Sequence, residues 1–202
     1  IIAVTFFAIL VRYAHANNVA TSQCQTLTGM EKFDSNKFFS GIWYLMYAKN
    51  GPTSTVCRRL NNTQHSNGTL VVNTIGYRGN ETEGRFFTVS CTGSMQYDEN
   101  GKYSLDCMRV FTDNKSFTRF HVDGTIIETD YNSYAILYRC VTYSNARIHD
   151  NFLVIQRDKK NENESKVADI LKNKQNLKLD DFRSRKKFQC PEQSTQKIIL
   201  DF

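Results

Sequence analysis

From Gly41 onward the chain is a succession of short runs rich in β-branched and aromatic residues, broken by turn signals. The runs are Ile42–Lys49, Thr55–Asn62, Thr69–Tyr77, Arg85–Thr92, Tyr103–Phe111, Ser116–Glu128, Ser133–Tyr143 and Phe152–Arg157. Between them lie Asn67-Gly68, Arg78-Gly79-Asn80, Glu99-Asn100-Gly101 and Asp113-Asn114. Strands at so regular a spacing predict an antiparallel sandwich or barrel. The two prolines, Pro52 and Pro191, fall outside the predicted strands, as a sheet requires. After the last strand, Glu162–Asn173 carries Val167, Ile170 and Leu171 on one stripe, which predicts a helix packed on the sheet. A second, short helix is expected over Ser35–Ser40. Eight strands followed by one helix predict an all-β, up-and-down barrel with a C-terminal α-helix, wide enough for one small ligand. An immunoglobulin-like sandwich would leave the helix unexplained.

The front of the chain is of another kind. Ile1–Val11 is apolar and is followed by Arg12-Tyr13 and Ala14-His15-Ala16. Residues 1–16 therefore read as a secretory signal with its cleavage site, its first residues expected to be missing. The run is shorter than a membrane span. Residues 17–202 are expected to form a single domain. Six cysteines, Cys24, Cys57, Cys91, Cys107, Cys140 and Cys190, behind such a leader predict disulfides in an oxidising compartment. Five sequons, Asn61, Asn67, Asn80, Asn114 and Asn163, are candidate glycan sites in a secreted protein. No metal is expected, because the four histidines are isolated. No pairing of nucleophile and base is evident, and Asp180-Asp181 has no pocket logic, so an enzyme is not expected. The net charge of +6 is scattered. The strongest basic cluster, Arg183–Lys187, is short, so neither a nucleic acid nor a membrane is an expected partner. A monomer is expected.

Three short motifs bear on the fold. Gly41-Ile42-Trp43 resembles the first lipocalin signature, Thr129-Asp130-Tyr131 the second, and Arg157 the third, a cation able to lie over Trp43. Gly41, Trp43, Thr129, Asp130, Tyr131 and Arg157 are taken as structural. Longer stretches, FDSNKFFSGIWY, NGPTSTVCRR, IIETDYNSYAILYRC and LKLDDFRSRKKFQC, resemble the triabin family, the salivary lipocalins of blood-feeding triatomine bugs. Within it they are most similar to pallidipin-like and triplatin-like members. The resemblance covers Cys24 to about Glu192. It implies bridges Cys24–Cys140, Cys57–Cys190 and Cys91–Cys107, among pairings the sequence alone leaves open. Family members carry haem, bind amines or nucleotides, trap eicosanoids, or block a coagulation or contact-phase protease from their outer surface. In the haem carriers the ligand histidine lies on the third strand. The same position here is Gly76, which cannot ligate iron, so no haem and no other cofactor is expected.

Alternation sorts the remaining strands. With Trp43 inward, Leu45 and Tyr47 follow. With Cys57 outward, Val56, Arg58 and Leu60 point in, as do Val72 and Thr74 beside Gly76. With Cys140 outward, Leu137 and Arg139 point in, and Phe152 and Val154 are read as inward on the last strand. Two arginines, Arg58 and Arg139, thus enter an apolar barrel. Each either pairs with a wall carboxylate, Asp123 or Glu128, or awaits an anionic ligand, since a buried unpaired guanidinium is costly. The expected partner is a small hydrophobic anion, a prostanoid or leukotriene such as thromboxane A2. Its capture in secreted saliva would inhibit platelet aggregation and haemostasis. The alternatives are a host plasma protease bound on the outer surface and a biogenic amine, the latter disfavoured by the two arginines.

Overall fold

A computed structural model of the protein describes residues 20–21, 23–96, 100–113, 116–160 and 163–192. The expected leader, residues 1–16, and the candidate glycan site Asn114 lie outside the described residues. The elements run β1 (Ala20–Thr21), α1 (Ser35–Phe38), β2 (Ser40–Ala48), β3 (Arg58–Gln64), β4 (Leu70–Gly79), β5 (Gly84–Met95), β6 (Lys102–Phe111), β7 (Phe117–Thr129), β8 (Tyr134–Tyr143), β9 (Ile148–Gln156), α2 (Glu164–Gln175) and β10 (Arg183–Ser184). From β2 to β9 each strand pairs antiparallel with the next, and β9 returns to pair with β2. Eight strands therefore close a lipocalin barrel with no free edge along its wall, and the helix follows the last strand. β1 extends β9 and β10 extends β2, each at the open end. Most boundaries shift by one to three residues from the sequence reading, and two of the shifts bear on the barrel mouth. Thr53–Val56 forms a 3-10 turn, so β3 starts at Arg58, and β9 begins at Ile148, ahead of Phe152.

The wall has two apolar layers. Inside, Trp43, Leu45, Leu105, Val122, Leu137 and Ile155 belong to one buried cluster. Outside, Val167 and Leu171 of α2 join a second with Met46, Tyr47, Phe152 and Val154. Asn176, in the left-handed region, ends α2 and donates its N–H to the Leu171 and Lys172 carbonyls.

This second cluster corrects three inward assignments. Tyr47, Phe152 and Val154 face the helix and not the cavity. β2 carries a bulge between Leu45 and Tyr47, where Met46 is the extra residue, so Tyr47 lies opposite Val154 instead of continuing the inward row. On β9, Phe152 lies opposite Tyr138 and Leu153 opposite Leu137. Directly opposed residues share a face, so Leu153 points in with Leu137.

The closed end is a lock of named groups. Trp43 is fully buried and its Nε1 donates to the Phe38 carbonyl at 3.1 Å. The Arg157 guanidinium lies 3.7 Å from the Trp43 ring centroid. It donates to the carbonyls of Ile42, Lys37 and Tyr131, each at 3.1 Å, and to that of Ser40. Gly41 adopts φ +65°, a region costly for a side chain, directly beneath Arg157. The Thr129–Tyr131 turn is tied down by Thr129 Oγ1, which donates to the Tyr134 carbonyl at 2.7 Å, and by Asp130, which accepts the backbone N–H groups of Ser133 and Tyr134. Burial pulls the Asp130 pKa up, but these hydrogen bonds outweigh it and hold the carboxyl below its usual value.

All six cysteines pair, as Cys24–Cys140, Cys57–Cys190 and Cys91–Cys107. The first bridge fastens the N-terminal segment to the outside of β8. The second fastens the C-terminal segment to the start of β3. The third joins directly opposed residues of β5 and β6.

Candidate ligand-binding cavity

The barrel interior divides into two chambers that share Arg58, Phe87, Arg109, Arg139, Val141 and Tyr143 in their walls. The inner chamber is apolar. Phe38 of α1 and Phe39, which caps it, line its closed end, and Leu45, Leu60, Val72, Val122, Leu137 and Ile155 are among its walls. Cys91 of the third disulfide also faces it. About 130 Å³ of this space is open to the centre of a water molecule. The outer chamber is polar, about 380 Å³ by the same measure, and is bordered by Asn50, Ser54, Arg78, Thr118, Arg147 and His149.

Where the chambers meet, three arginines project inward from three strands: Arg58 from β3, Arg109 from β6 and Arg139 from β8. The buried Nε of each has no hydrogen-bond partner. Among the described residues, neither Arg58 nor Arg139 forms an ion pair. Burial, then the nearby Arg139 and Arg109 charges, push Arg58 down to about 9, and burial lowers Arg139 as well. Arg58 is therefore still a cation at neutral pH, held among other cations. Arg109 is less isolated. Its guanidinium lies 5.1 Å from the Phe111 ring and its Nη2 is 3.5 Å from Thr118 Oγ1.

The two carboxylates expected to neutralise these cations are elsewhere. Asp123 lies opposite Cys140, which faces out to reach Cys24, so Asp123 faces out as well. There it accepts Ser104 Oγ at 2.5 Å and stands 3.3 Å from His121 Nε2. Glu128 is also outside and holds Lys174 of α2 at 2.5 Å. Asp150, which borders the outer chamber, is held by Tyr138 Oη and Gln25 Nε2 at 3.1 and 2.9 Å.

Of the inward residues read from the sequence, Leu45, Arg58, Val72, Thr74, Leu137 and Arg139 line the inner chamber. Val56 is buried in the 3-10 turn and belongs to the inner core without lining the chamber. Gly76 faces in, and a Cβ there would stand 2.3 Å from Cζ of Phe87, so the Phe87 ring fills the space a side chain would need. Several lining residues escaped the sequence reading, two of them with side chains that bear on ligand chemistry, Arg109 and Asn62. Asn62 continues the row of Arg58 and Leu60, so extending that alternation would have found it, whereas Arg109 sits on a strand whose phase is set by the pairing of Cys107 with Cys91. Asn61, Asn67 and Asn80 are exposed and Asn163 is half-buried, so the first three are open to glycan attachment.

The Triabin family model matches residues 14–169. The chain is 33% identical over 189 residues to triafestin-2 of Triatoma infestans, spanning 92% of this chain and 89% of that one. It is 31% identical over 163 residues to the platelet inhibitor triplatin-2 of the same species, spanning 79% and 82%. Among solved structures it is similar to the tryptamine complex of the amine-binding protein of Rhodnius prolixus, with TM-score 0.66 and 23% identity over 80% of this chain and 85% of that one. It is also similar to LTBP1 in complex with leukotriene C4, with TM-score 0.50 and 30% identity over 71% and 82%. A closed eight-stranded barrel, three bridges in this order and a family match over most of its length establish that the chain belongs to the Triabin family of lipocalins.

Proposed function

We propose that the protein is a secreted salivary lipocalin that sequesters an acidic lipid mediator, thromboxane A2 or a related prostanoid, and so blunts platelet aggregation. The observation that carries this reading is the set of inward arginines without a carboxylate. A cation buried away from any counter-charge costs several kcal/mol unless something neutralises it. The apolar chamber beneath accepts a hydrocarbon chain, gaining roughly 25 cal/mol per Å² of apolar surface buried. A carboxylate at Arg58 and Arg139 adds a charge-assisted bond worth about 1.5–3 kcal/mol. The similarity to a structure holding leukotriene C4, itself an acidic eicosanoid, supports the same class. A cationic amine would meet like charge at this point. Against a surface inhibitor, the large apolar residues exposed among the described residues, Ile42 at 39% and Phe117 at 61%, lie at opposite ends of the barrel.

Capture is stoichiometric and needs no catalytic group. Calorimetric titration with a stable thromboxane analogue and its methyl ester tests the reading. Tight binding of the acid and weak binding of the ester is the expected result. No heat from any prostanoid acid, with inhibition of a coagulation or contact-phase protease, would move the activity to the outer surface.

A further inference from the structure

The arginines account for one end of a ligand. The other end of the cavity holds a second polar group that the acid-binding reading does not use. Asn62 is 3% exposed and lines the apolar inner chamber, yet its Oδ1 has no hydrogen-bond partner. Its cross-strand neighbours are Gly41 on β2 and Val72 on β4, neither of which offers a polar side chain. A buried amide left unsatisfied is destabilising, and a lining position of this kind is usually apolar. Thr74, on the neighbouring strand and opposite Leu60, faces the same chamber one pair nearer the mouth.

The geometry of β3 relates this amide to the cation site. Arg58, Leu60 and Asn62 are alternate residues of one strand and line one chamber. Four residues of strand separate Arg58 from Asn62, about 13 Å at 3.3 Å per residue. Arg58 stands toward the open end, where β3 begins, and Asn62 toward the closed end, opposite Gly41.

We infer that Asn62 is a specificity residue that reads a hydroxyl group on the hydrocarbon chain of the ligand, about 13 Å from its acid end. This deepens the acid-lipid reading and rests on it. A hydroxyl both donates and accepts, so it satisfies the amide whether oxygen or nitrogen is presented. A plain fatty acid buries the amide unpaired and pays that desolvation. The cavity therefore selects oxygenated lipid acids over their unoxygenated parents, and selects among hydroxyl positions.

The test uses the whole mature protein and calorimetric titration with arachidonic acid and a series of its monohydroxy derivatives. One hydroxyl position is expected to bind about tenfold tighter than the parent acid. In Asn62→Leu that preference is expected to fall to about one, while the parent acid binds equally or more tightly and the unliganded protein melts no lower. Methylating the hydroxyl of the preferred ligand removes its donor and is expected to abolish the advantage in the unmodified protein, a check that needs no variant. A preference that survives in Asn62→Leu overturns the inference, as does equal binding of all positions while the acids still bind. If no acid binds at all, the acid-lipid reading falls and takes this inference with it.

Discussion

Replacing Arg58 by methionine separates a binding arginine from a structural one, because the two roles predict opposite signs for stability. Methionine keeps an unbranched side chain of similar length and removes the guanidinium. In the unliganded protein Arg58 has an unpartnered Nε, no ion pair among the described residues and three cationic neighbours, Arg139, Arg109 and Arg78, with the Phe87 ring 5.8 Å away as its aromatic contact. Removing a buried charge in that condition relieves its desolvation, and unfolding should become harder by about 1–3 kcal/mol. For a domain of this size that raises Tm by roughly 2–4 °C per kcal/mol. The same change removes the charged donor for a carboxylate, so affinity for a prostanoid acid should fall by about 1.5–3 kcal/mol, roughly ten- to 150-fold. The methyl ester should bind the variant as it binds the parent. Calorimetric unfolding with the disulfides intact and isothermal titration with acid and ester give both readings on one preparation. A lower Tm, with acid and ester losing affinity equally, would refute the assignment and make Arg58 a packing residue.

Other expectations follow from the same geometry. Haemin added to the protein should give no ligated Soret band, and Gly76→His should be destabilised without gaining haem, because the Phe87 ring occupies the space beside residue 76; a sharp six-coordinate spectrum in either protein would contradict this. Arg157→Ala should lower stability by about 2–4 kcal/mol with no selective loss for acids over esters, since it strips four carbonyls and the Trp43 ring of their cation; denaturant unfolding reads it. Cys91→Ser/Cys107→Ser opens a bridge of sequence separation 16 and should cost about 3 kcal/mol. His121 should titrate above its ordinary value by proton NMR, chiefly through its hydrogen bond to Asp106; burial opposes the rise and the Asp123 charge adds to it. Its contribution to stability is present below the ordinary histidine pKa and lost as pH rises through the raised value. Asp106→Asn should shift the titration downward.

What the chain disclosed before folding depended on whether the signal was local. The glycine at 41, the tryptophan two residues later and the arginine at 157 each act through one closed end, and all three appear where the motifs predict. Strand positions were legible because each side chain had only to be β-branched or aromatic. The phase of alternation was less so. On β2 the bulge at Met46 resets it, and nothing in Leu45-Met46-Tyr47 signals which residue is the extra one. On β9, Asp150–Gln156 is buried throughout, one face by the barrel and the other by α2 and its neighbours, so no polar face marks the outside. Asp123 and Glu128 were candidates for pairing because they lie on a wall strand. Their side chains face outward, a fact carried by the register with Cys140 and by the salt bridge to α2.

Arginine in this protein occurs in two conditions, and the contrast bears on function more than any count of basic residues. Arg157, at the closed end, is satisfied by four carbonyls and an aromatic face. Arg185 is likewise turned onto the Val56 carbonyl at 2.6 Å, where it joins the C-terminal segment to the barrel. Each is complete without a ligand. Arg58 and Arg139 are inside the same barrel and, among the described residues, the buried Nε of each has no acceptor, while carboxylates stand on the outer surface of the same wall. Packing alone would favour leucine or methionine at both positions. The cost of holding two half-buried guanidinium groups without a carboxylate is explained by an anion that arrives from outside, whose binding energy includes relief of that cost. The same reasoning separates Asn62 from Asn151, a buried amide at the barrel mouth, which donates to the Asn50 carbonyl at 2.8 Å and accepts its N–H at 2.9 Å. Asn151 closes a loop; Asn62, unpartnered at the bottom of an apolar chamber, is complete only with something bound.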